Sequence, residues 1–521
     1  MFLRGKPQQY KISRFFTIEA TKQAFNNQQE CFPITQQLLF LLKQCITIKQ
    51  VQQIHTQMLI YSIDKANFLL SRIIDLKNFD YASLLFSHIH SPNEYAFNIM
   101  IRGLTTTWQK FDLSLEFYHK MKFLGLKTDN FTYPFVFMCC GNLLAMKLGR
   151  LAHCEVVKNG LFVDFHVGHS LITMYSRFGK MGFARKVFDE ISLRDLVSWN
   201  SMISGYAQNG LSDETISLFN AMKEAGVNPN NITLVSVLSA CASIGALDVG
   251  KSIDDYATRR GIRHDIYVAT ALIDMYAKSG KLDDAYQIFE SMPRKNEVSW
   301  NAMISALAFH GRAQEALSLF ERMSLESSDS RPDDVTFVGV LSACVHAGLV
   351  DQGKHIFDIM NSSFGLVPKV EHYSCMVDLL SRAGRVYEAW DFIEKMPQKP
   401  DEILLGALLG ACQKLKNIDV GERVMQLLLE MEPSNSGNYI ISSKIYANLR
   451  RWDDSARMRQ LMRQKGVTKI PGCSWIEMDS QLVEFRAGDS SHPIIDGIQQ
   501  ALDLLYEEMT IEGYVPNVEL N

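Results

Sequence analysis

Leu196-Val-Ser-Trp-Asn-Ser-Met-Ile-Ser204 returns 101 residues later as Glu297-Val-Ser-Trp-Asn-Ala-Met-Ile-Ser305, and this return decides the fold. Ser170-Leu-Ile-Thr-Met-Tyr175 returns at the same shift as Ala271-Leu-Ile-Asp-Met-Tyr276, and Leu238-Ser-Ala-Cys241 returns as Leu341-Ser-Ala-Cys344 after 103 residues. A fixed internal period marks an array in which each repeat is one supersecondary unit. A period near 101 is too long for one helical hairpin and suits three. Each third carries two amphipathic patterns around a small polar turn: residues 201–208, then Asn209-Gly210, then residues 211–225, with Ile216, Leu218, Phe219 and Met222 at helical spacing.

The units run 130–164, 165–195, 196–230, 231–265, 266–296, 297–333, 334–369 and 370–401. A hairpin of this size cannot bury its apolar face alone, so the units must stack into an all-α solenoid whose inner surface is a ready binding groove.

Composition narrows the function classes. The 521 residues (59.2 kDa) are 47% hydrophobic and 21% charged, with 31 Gly and 14 Pro, which excludes collagenous and wholly disordered chains. The greasiest run, residues 38–42, is stopped at once by Lys43, far short of the roughly 20 apolar residues of a bilayer span. Ten Cys occur without a C-x-x-C, arguing against thiol zinc sites and redox motifs. Net charge is −4, but residues 1–164 hold 18 Lys+Arg against 11 Asp+Glu, while residues 165–521 hold 35 against 46. A nucleic-acid binder with this balance must read more than phosphate. Residues 1–18 carry Arg4, Lys6, Lys11 and Arg14 with no acidic residue before Glu19, which reads as an organelle presequence, the other reading being a basic tail. Arg with aromatics and few hydroxyl residues points to the mitochondrion, with the chloroplast as alternative.

From residue 34 onward these units resemble a plant pentatricopeptide repeat protein of the class that alternates long, short and standard repeats (PLS class, E/E+ subgroup without a DYW deaminase domain). Ile266 through Asn296 (IYVATALIDMYAKSGKLDDAYQIFESMPRKN) and residues 196–230 carry the likeness most closely. The resemblance implies a right-handed superhelical α-solenoid of stacked helix-turn-helix repeats. It implies a presequence and disordered N-terminus over 1–33, degenerate units over 34–93, and the repeat array over 94–401, which adds the unit 94–129, a standard repeat with one extra residue. Two E motifs would follow over 402–469, and an E+ motif over 470–521 contains Pro471-Gly-Cys-Ser-Trp-Ile476 and Gly513-Tyr-Val-Pro516.

The resemblance also implies a reading scheme of about one base per unit. The fifth and last residues of a unit would contact a base edge, and the second residue would pack on the base face. The pairs are Ser71 with Asn93, Asn98 with Asp129, Asn200 with Asn230, Thr270 with Asn296, Asn301 with Asp333, and Ser374 with Asp401. By the family's pattern they favour A, U, a pyrimidine, A, U and, weakly, G. Stacking faces would be Phe68, Tyr95, Val197, Tyr267 and Val298. An Asn amide offers donor and acceptor to a pyrimidine edge, and a Thr or Ser hydroxyl can serve a purine. Pro134, Val235 and Val338 fill the fifth position of the long units and mark them as spacers, while His169, with Asp195 closing its unit, has no base assigned. Helix capping explains the terminal Asn and Asp equally well. It does not explain Asn, a poor helix former, recurring inside the first helix at 98, 200 and 301. Trp199 and Trp300, beside the reading positions, read as core.

Catalytic signals are thin. His153-Cys-Glu155 matches half of the H-x-E plus P-C-x-x-C pattern of zinc deaminases, but the second half is missing from the sequence. Phosphate-loop, nucleophile-elbow and dinucleotide motifs are missing as well. The expectation is a binding protein, not an enzyme, with no cofactor or metal: a single-stranded RNA-binding factor that selects cytidines for C-to-U editing in organelle transcripts. Its partners would be that RNA, a deaminase-domain protein supplied in trans, and accessory factors held by the E/E+ region, with no membrane involved. The alternatives are organelle RNA stabilisation, processing or splicing, and a protein-binding helical scaffold.

Overall fold

Each amphipathic stretch of the repeat becomes a helix, and each polar turn becomes the bend of a hairpin. The computed structural model describes residues 34–326, 330–469, 473–478, 481–486 and 495–511. The presequence reading of residues 1–33 lies outside them. Among the described residues there are twenty-seven α-helices, and none is long and apolar enough to cross a membrane.

The hairpin Leu196–Gln208 and Ser212–Glu224 shows why the sequence folds this way. Asp195 caps the first helix, its carboxylate accepting the Ser198 N–H at 2.8 Å. Trp199, Met202, Ile203 and Tyr206 form the buried stripe and meet Leu218, Phe219 and Met222 from the second helix. The first helix stops at Asn209, because Gly210 takes φ +71°, a left-handed conformation that glycine adopts without a steric penalty.

The described residues fall into two compact units that divide between Lys281 and Leu282. In the first, the helices Tyr133–Asn142, Phe165–Arg177, Leu196–Gln208, Asn231–Ile244 and Ile266–Lys278 pack side by side in chain order, the first four each with its hairpin partner behind it. Their approach is close enough that a Cβ on Gly205 would stand 2.4 Å from Ser176 Oγ. In the second, Glu297–Phe309, Asp334–Ala347, Val370–Arg382, Glu402–Leu415 and Ser436–Asn448 repeat the arrangement. One core runs from Val377, Leu380 and Val386 through Leu404, Leu408 and Cys412 to Val424 and Ile445, so the last repeat and the following hairpins share their packing.

The extra residue in unit 94–129 has a definite place. The helix Glu94–Arg102 runs on into a π-helical turn, Gly103–Thr107, closed by the Trp108 N–H on Gly103 O at 3.1 Å, an i to i+5 bond that absorbs one inserted residue. A hairpin of two antiparallel strands, Cys473–Met478 and Gln481–Arg486, forms a small sheet beside the helices, with Cys473 opposite Arg486. Cys45, Cys139, Cys140, Cys241, Cys344 and Cys412 are buried as free thiols, Cys139 lying 3.2 Å from the Thr105 hydroxyl.

Candidate nucleic-acid interface

In most units the last residue caps the first helix of the next, as Asn93, Asp164, Asp195, Asn230, Asn296, Asp333 and Asp401 do, whereas Asp129 accepts the Phe131 and Thr132 N–H groups in the turn ahead of Tyr133–Asn142. Asn230 accepts the Thr233 N–H at 3.1 Å, and Asp333 accepts the Thr336 N–H at 2.9 Å, one turn into their helices. In three units that terminal oxygen also takes a bond from an Asn of the unit's first helix. Asn98 Nδ2 donates to Asp129 Oδ1 at 3.0 Å, Asn200 Nδ2 to Asn230 Oδ1 at 3.0 Å, and Asn301 Nδ2 to Asp333 Oδ1 at 2.9 Å. A threonine closes each ring: the Thr132, Thr233 and Thr336 hydroxyls donate to the Asn98, Asn200 and Asn301 carbonyl oxygens at 2.7, 2.6 and 2.6 Å.

The unit-terminal residue and the mid-helix Asn are therefore one hydrogen-bonded cluster. The three Asn are only 7–8% exposed, a burial that an amide tolerates because both its ends are engaged. Among the described residues each keeps one N–H uncommitted. The terminal residue differs in what it adds: Asp129 and Asp333 have a second carboxylate oxygen, whereas Asn230, its oxygen committed to the cap, has an amide nitrogen. Burial works to raise the Asp333 carboxyl, but the N–H groups and hydroxyl around it and the Asn301 amide outweigh that and hold it below the usual range.

The remaining pairs are less regular. Ser71 Oγ accepts from Arg102 at 3.3 Å, while Asn93 caps through the Ala96 N–H at 3.0 Å, so these two are not brought together. Thr270 returns its hydroxyl to the Ile266 carbonyl at 2.7 Å, and Asn296 caps through the Ser299 N–H at 3.0 Å. Ser374 is half-buried, and Asp401 caps through the Leu404 N–H at 2.8 Å. Pro134, Val235 and Val338 are half-buried. His169 takes the place of Asn in its unit, its Nε2 lying 2.9 Å from Ser198 Oγ and 3.1 Å from Asp195 Oδ1.

The second residues are uncovered at the start of their helices. Phe68, Tyr95, Val197 and Tyr267 in the first unit, and Val298 in the second, leave large apolar area open. Sequence reasoning missed that the long units do the same: Phe131, Ile232 and Val335 are 56–66% exposed, and Ile403 follows suit. The signal was present, an apolar second residue in units set aside as spacers.

Around these side chains the surface is hollow. A cavity of about 610 Å³ is lined by Phe131, Pro134, His166, His169, Arg177 and Val197, among others. A second of about 300 Å³, lined by Asn200, Asn230 and Ile232, shares Thr173, Val197 and Ser201 with it. In the other unit Arg382 and Lys414 border a groove of about 410 Å³, and neither basic residue was singled out from sequence. Trp199 and Trp300 are buried, edge-on to Phe188 and Phe289 at 5.1 and 5.0 Å between centroids, as core residues. His153 Nδ1 lies 2.9 Å from the Tyr175 hydroxyl, and Glu155 accepts from Tyr118 and Tyr133 and pairs with Lys122, which places both among packing partners.

Comparison with known families finds the PPR repeat family over residues 194–243 and 295–346, a pentatricopeptide repeat domain over 252–299, and PPR repeats over 169–196 and 371–400. The E motif matches residues 415–477. Among similar curated proteins of Arabidopsis thaliana, one pentatricopeptide repeat-containing protein is 37% identical over 87% of this chain and 93% of its own length. A second, described as chloroplastic/mitochondrial, is 37% identical over 92% of this chain and 78% of its own. The chloroplastic protein CRR2 is 35% identical over 94% and 76%. Among solved structures, the pentatricopeptide repeat protein PPR10 in complex with an 18-nt psaJ RNA element superimposes with a TM-score of 0.62 at 16% identity, over 83% of this chain. The chain spans 65% of that solved chain, and the likeness is one of fold.

Proposed function

The chain belongs to the pentatricopeptide repeat family, with an E motif after its repeats, and we propose that it reads single-stranded organelle RNA base by base and selects cytidines for C-to-U editing by a deaminase recruited in trans. The observation that carries the reading is the triad of Asn, unit-terminal Asp or Asn, and Thr, repeated at Asn98, Asn200 and Asn301.

The triads hold their free groups fixed before RNA arrives, so little ordering cost falls on binding. Opposite Asn98–Asp129 and Asn301–Asp333, one N–H and one carboxylate oxygen complement uracil, which offers a carbonyl and the N3–H. Opposite Asn200–Asn230 the capping residue presents an amide donor instead, which suits the bare N3 of cytosine. The open second residues supply faces, the aromatic ones worth about 1–3 kcal/mol per base. With one base per unit, the preferred core runs 5′-A-U-N-X-C-N-A-U-N-G, X standing opposite His169.

Editing in trans is supported by the E motif and by the packing roles of His153 and Glu155, which leave the chemistry to a partner. An organelle location is supported by the chloroplastic and mitochondrial relatives, and the basic start of the sequence favours the mitochondrion. The test is site-by-site sequencing of organelle cDNA from a plant lacking the gene. Loss of conversion at a few cytidines downstream of this core is expected. Normal editing with altered transcript ends, splicing or abundance would transfer the function to RNA stabilisation or processing.

A further inference from the structure

Glycine within a helix weakens it relative to alanine, and it is kept where something must come close. Gly205, Gly250 and Gly353 follow this rule, since a Cβ on each would stand 2.4 Å from Ser176, Met275 and Leu379 respectively. Gly406 and Gly410, one turn apart in the helix Glu402–Leu415, do not, because a Cβ on either would meet no atom within 4 Å. With Ala407 and Ala411 they line the groove of about 410 Å³. Ser381 lines the same groove, is only 4% exposed, and its hydroxyl has no hydrogen-bond partner among the described residues. A buried hydroxyl left unpaired is costly, so it marks a place where a partner arrives from outside the chain.

The charged groups of the groove are Asp378, Arg382 and Lys414, two cations against one carboxylate. Arg382 gives Asp378 only its Nε–H, at 2.9 Å, and its terminal N–H groups have no partner among the described residues. Lys414 is exposed and forms no ion pair among them. Ser374, Asp378, Ser381 and Arg382 stand at i, i+4, i+7 and i+8 of the helix Val370–Arg382 and so share one face. The groove therefore continues from the last reading position, Ser374, towards the hairpin that follows the repeats. Two cations and an unpaired hydroxyl complement an anion. Gly406 and Gly410 offer no side chain with which to read a base, and their bare face lets another backbone lie against the helix.

We propose that this groove holds a phosphate of the RNA as the strand leaves the last repeat, with Arg382, Lys414 and the Ser381 hydroxyl donating to its oxygens and the glycine face of Glu402–Leu415 receiving the sugar-phosphate backbone. The proposal rests on the RNA-reading function above and adds to it a contact blind to sequence, placed 3′ of the base opposite Ser374 and Asp401.

The test is fluorescence anisotropy of the full chain with two RNAs, one ending at the final G of the core 5′-A-U-N-X-C-N-A-U-N-G and one carrying a short 3′ extension. The extended RNA is expected to bind about three- to tenfold tighter, whatever the added bases, with a salt slope steeper by about 0.7. A neutral methylphosphonate in place of the first added phosphate, or Lys414→Gln, is expected to erase most of that gain. Ser381→Ala is expected to reduce it without lowering the melting temperature, because the hydroxyl it removes has no partner within the protein, whereas a purely structural role would show as lost stability. Equal affinity for the two RNAs, with uracil still preferred opposite Asn301 and Asp333, would overturn the phosphate site and leave the RNA reading standing. Loss of that preference as well would overturn both. Equal affinity together with saturable binding of inorganic phosphate that Lys414→Gln abolishes would give the groove to a free anion, and equal affinity together with lost editing in a Lys414→Gln plant would give it to a protein partner; either result overturns the RNA contact.

Discussion

Asn301, in the middle of one helix, donates its amide to Oδ1 of Asp333, the residue that caps the first helix of the next repeat, at 2.9 Å. A bond that stacks two repeats is thus the same bond that orients the groups facing the groove. Substitutions around it separate folding from reading only when one of the two roles is kept.

Thr336→Val removes the hydroxyl that donates to Asn301 Oδ1 at 2.6 Å and that receives the Asp333 N–H at 3.0 Å. A buried amide oxygen loses its partner, which costs about 1–3 kcal/mol. Urea unfolding is expected to show that loss, and preference for uracil at this position should weaken because the Asn301 amide is no longer held. An unchanged midpoint together with unchanged base preference would contradict the triad.

Asp333→Asn keeps the cap, since Asn caps about as well as Asp, and exchanges the outward oxygen for an amide donor. The expected outcome is a shift from uracil to cytosine opposite this unit, with little change in melting temperature. The carboxyl of Asp333 is held below its ordinary 3.8, so the stability it contributes is present above that value and is lost as pH falls through the lower folded one. Unfolding measured from pH 5 downward should therefore be flatter for Asp333→Asn than for the parent chain.

Tyr267→Ala and Phe131→Ala remove side chains that are 71% and 66% exposed. Neither should change the melting temperature appreciably, and each should weaken RNA binding by about 1–3 kcal/mol, as loss of a stacking face does. Phe131 is the more telling of the two, because it lies in a long unit. Undiminished affinity there, beside a loss at Tyr267, would restore that unit to the role of spacer.

Truncation after Asp401 strips Leu404, Leu405, Leu408 and Cys412 from the core they share with Val377, Leu380 and Val386. Each large apolar side chain left uncovered forfeits about 1.5–3 kcal/mol of burial. A chain ending at 401 is expected to melt well below one ending at 469, and its last repeat should lose amide-exchange protection. Equal melting temperatures would show that the repeat array is energetically separate from the hairpins that follow.

Much of this architecture was legible in the chain. The return of Val-Ser-Trp-Asn at 197 and 298, the hairpin turns and the burial of Trp199 and Trp300 all follow from hydrophobic spacing over a few residues, which local helix geometry fixes. The extra residue in unit 94–129 was also countable. That it would be taken up as a π-helical turn at Gly103–Thr107, and not as a longer loop, depended on how Gly103, Leu104 and Thr105 pack.

By itself the sequence determined the period, the helices and the positions that recur at a fixed place in each unit, because all three are written in short-range patterns. The tertiary structure decided what those positions bond to. Capping and base contact stood as alternative readings of Asn230 and Asp333, and the structure shows that the capping oxygen of each also receives an amide from a residue about thirty positions earlier, as the turn residue Asp129 does from Asn98. What His169 meets was beyond any pattern in its own helix, since Ser198 Oγ and Asp195 Oδ1, at 2.9 and 3.1 Å from its Nε2, arrive only when the next helix packs beside it.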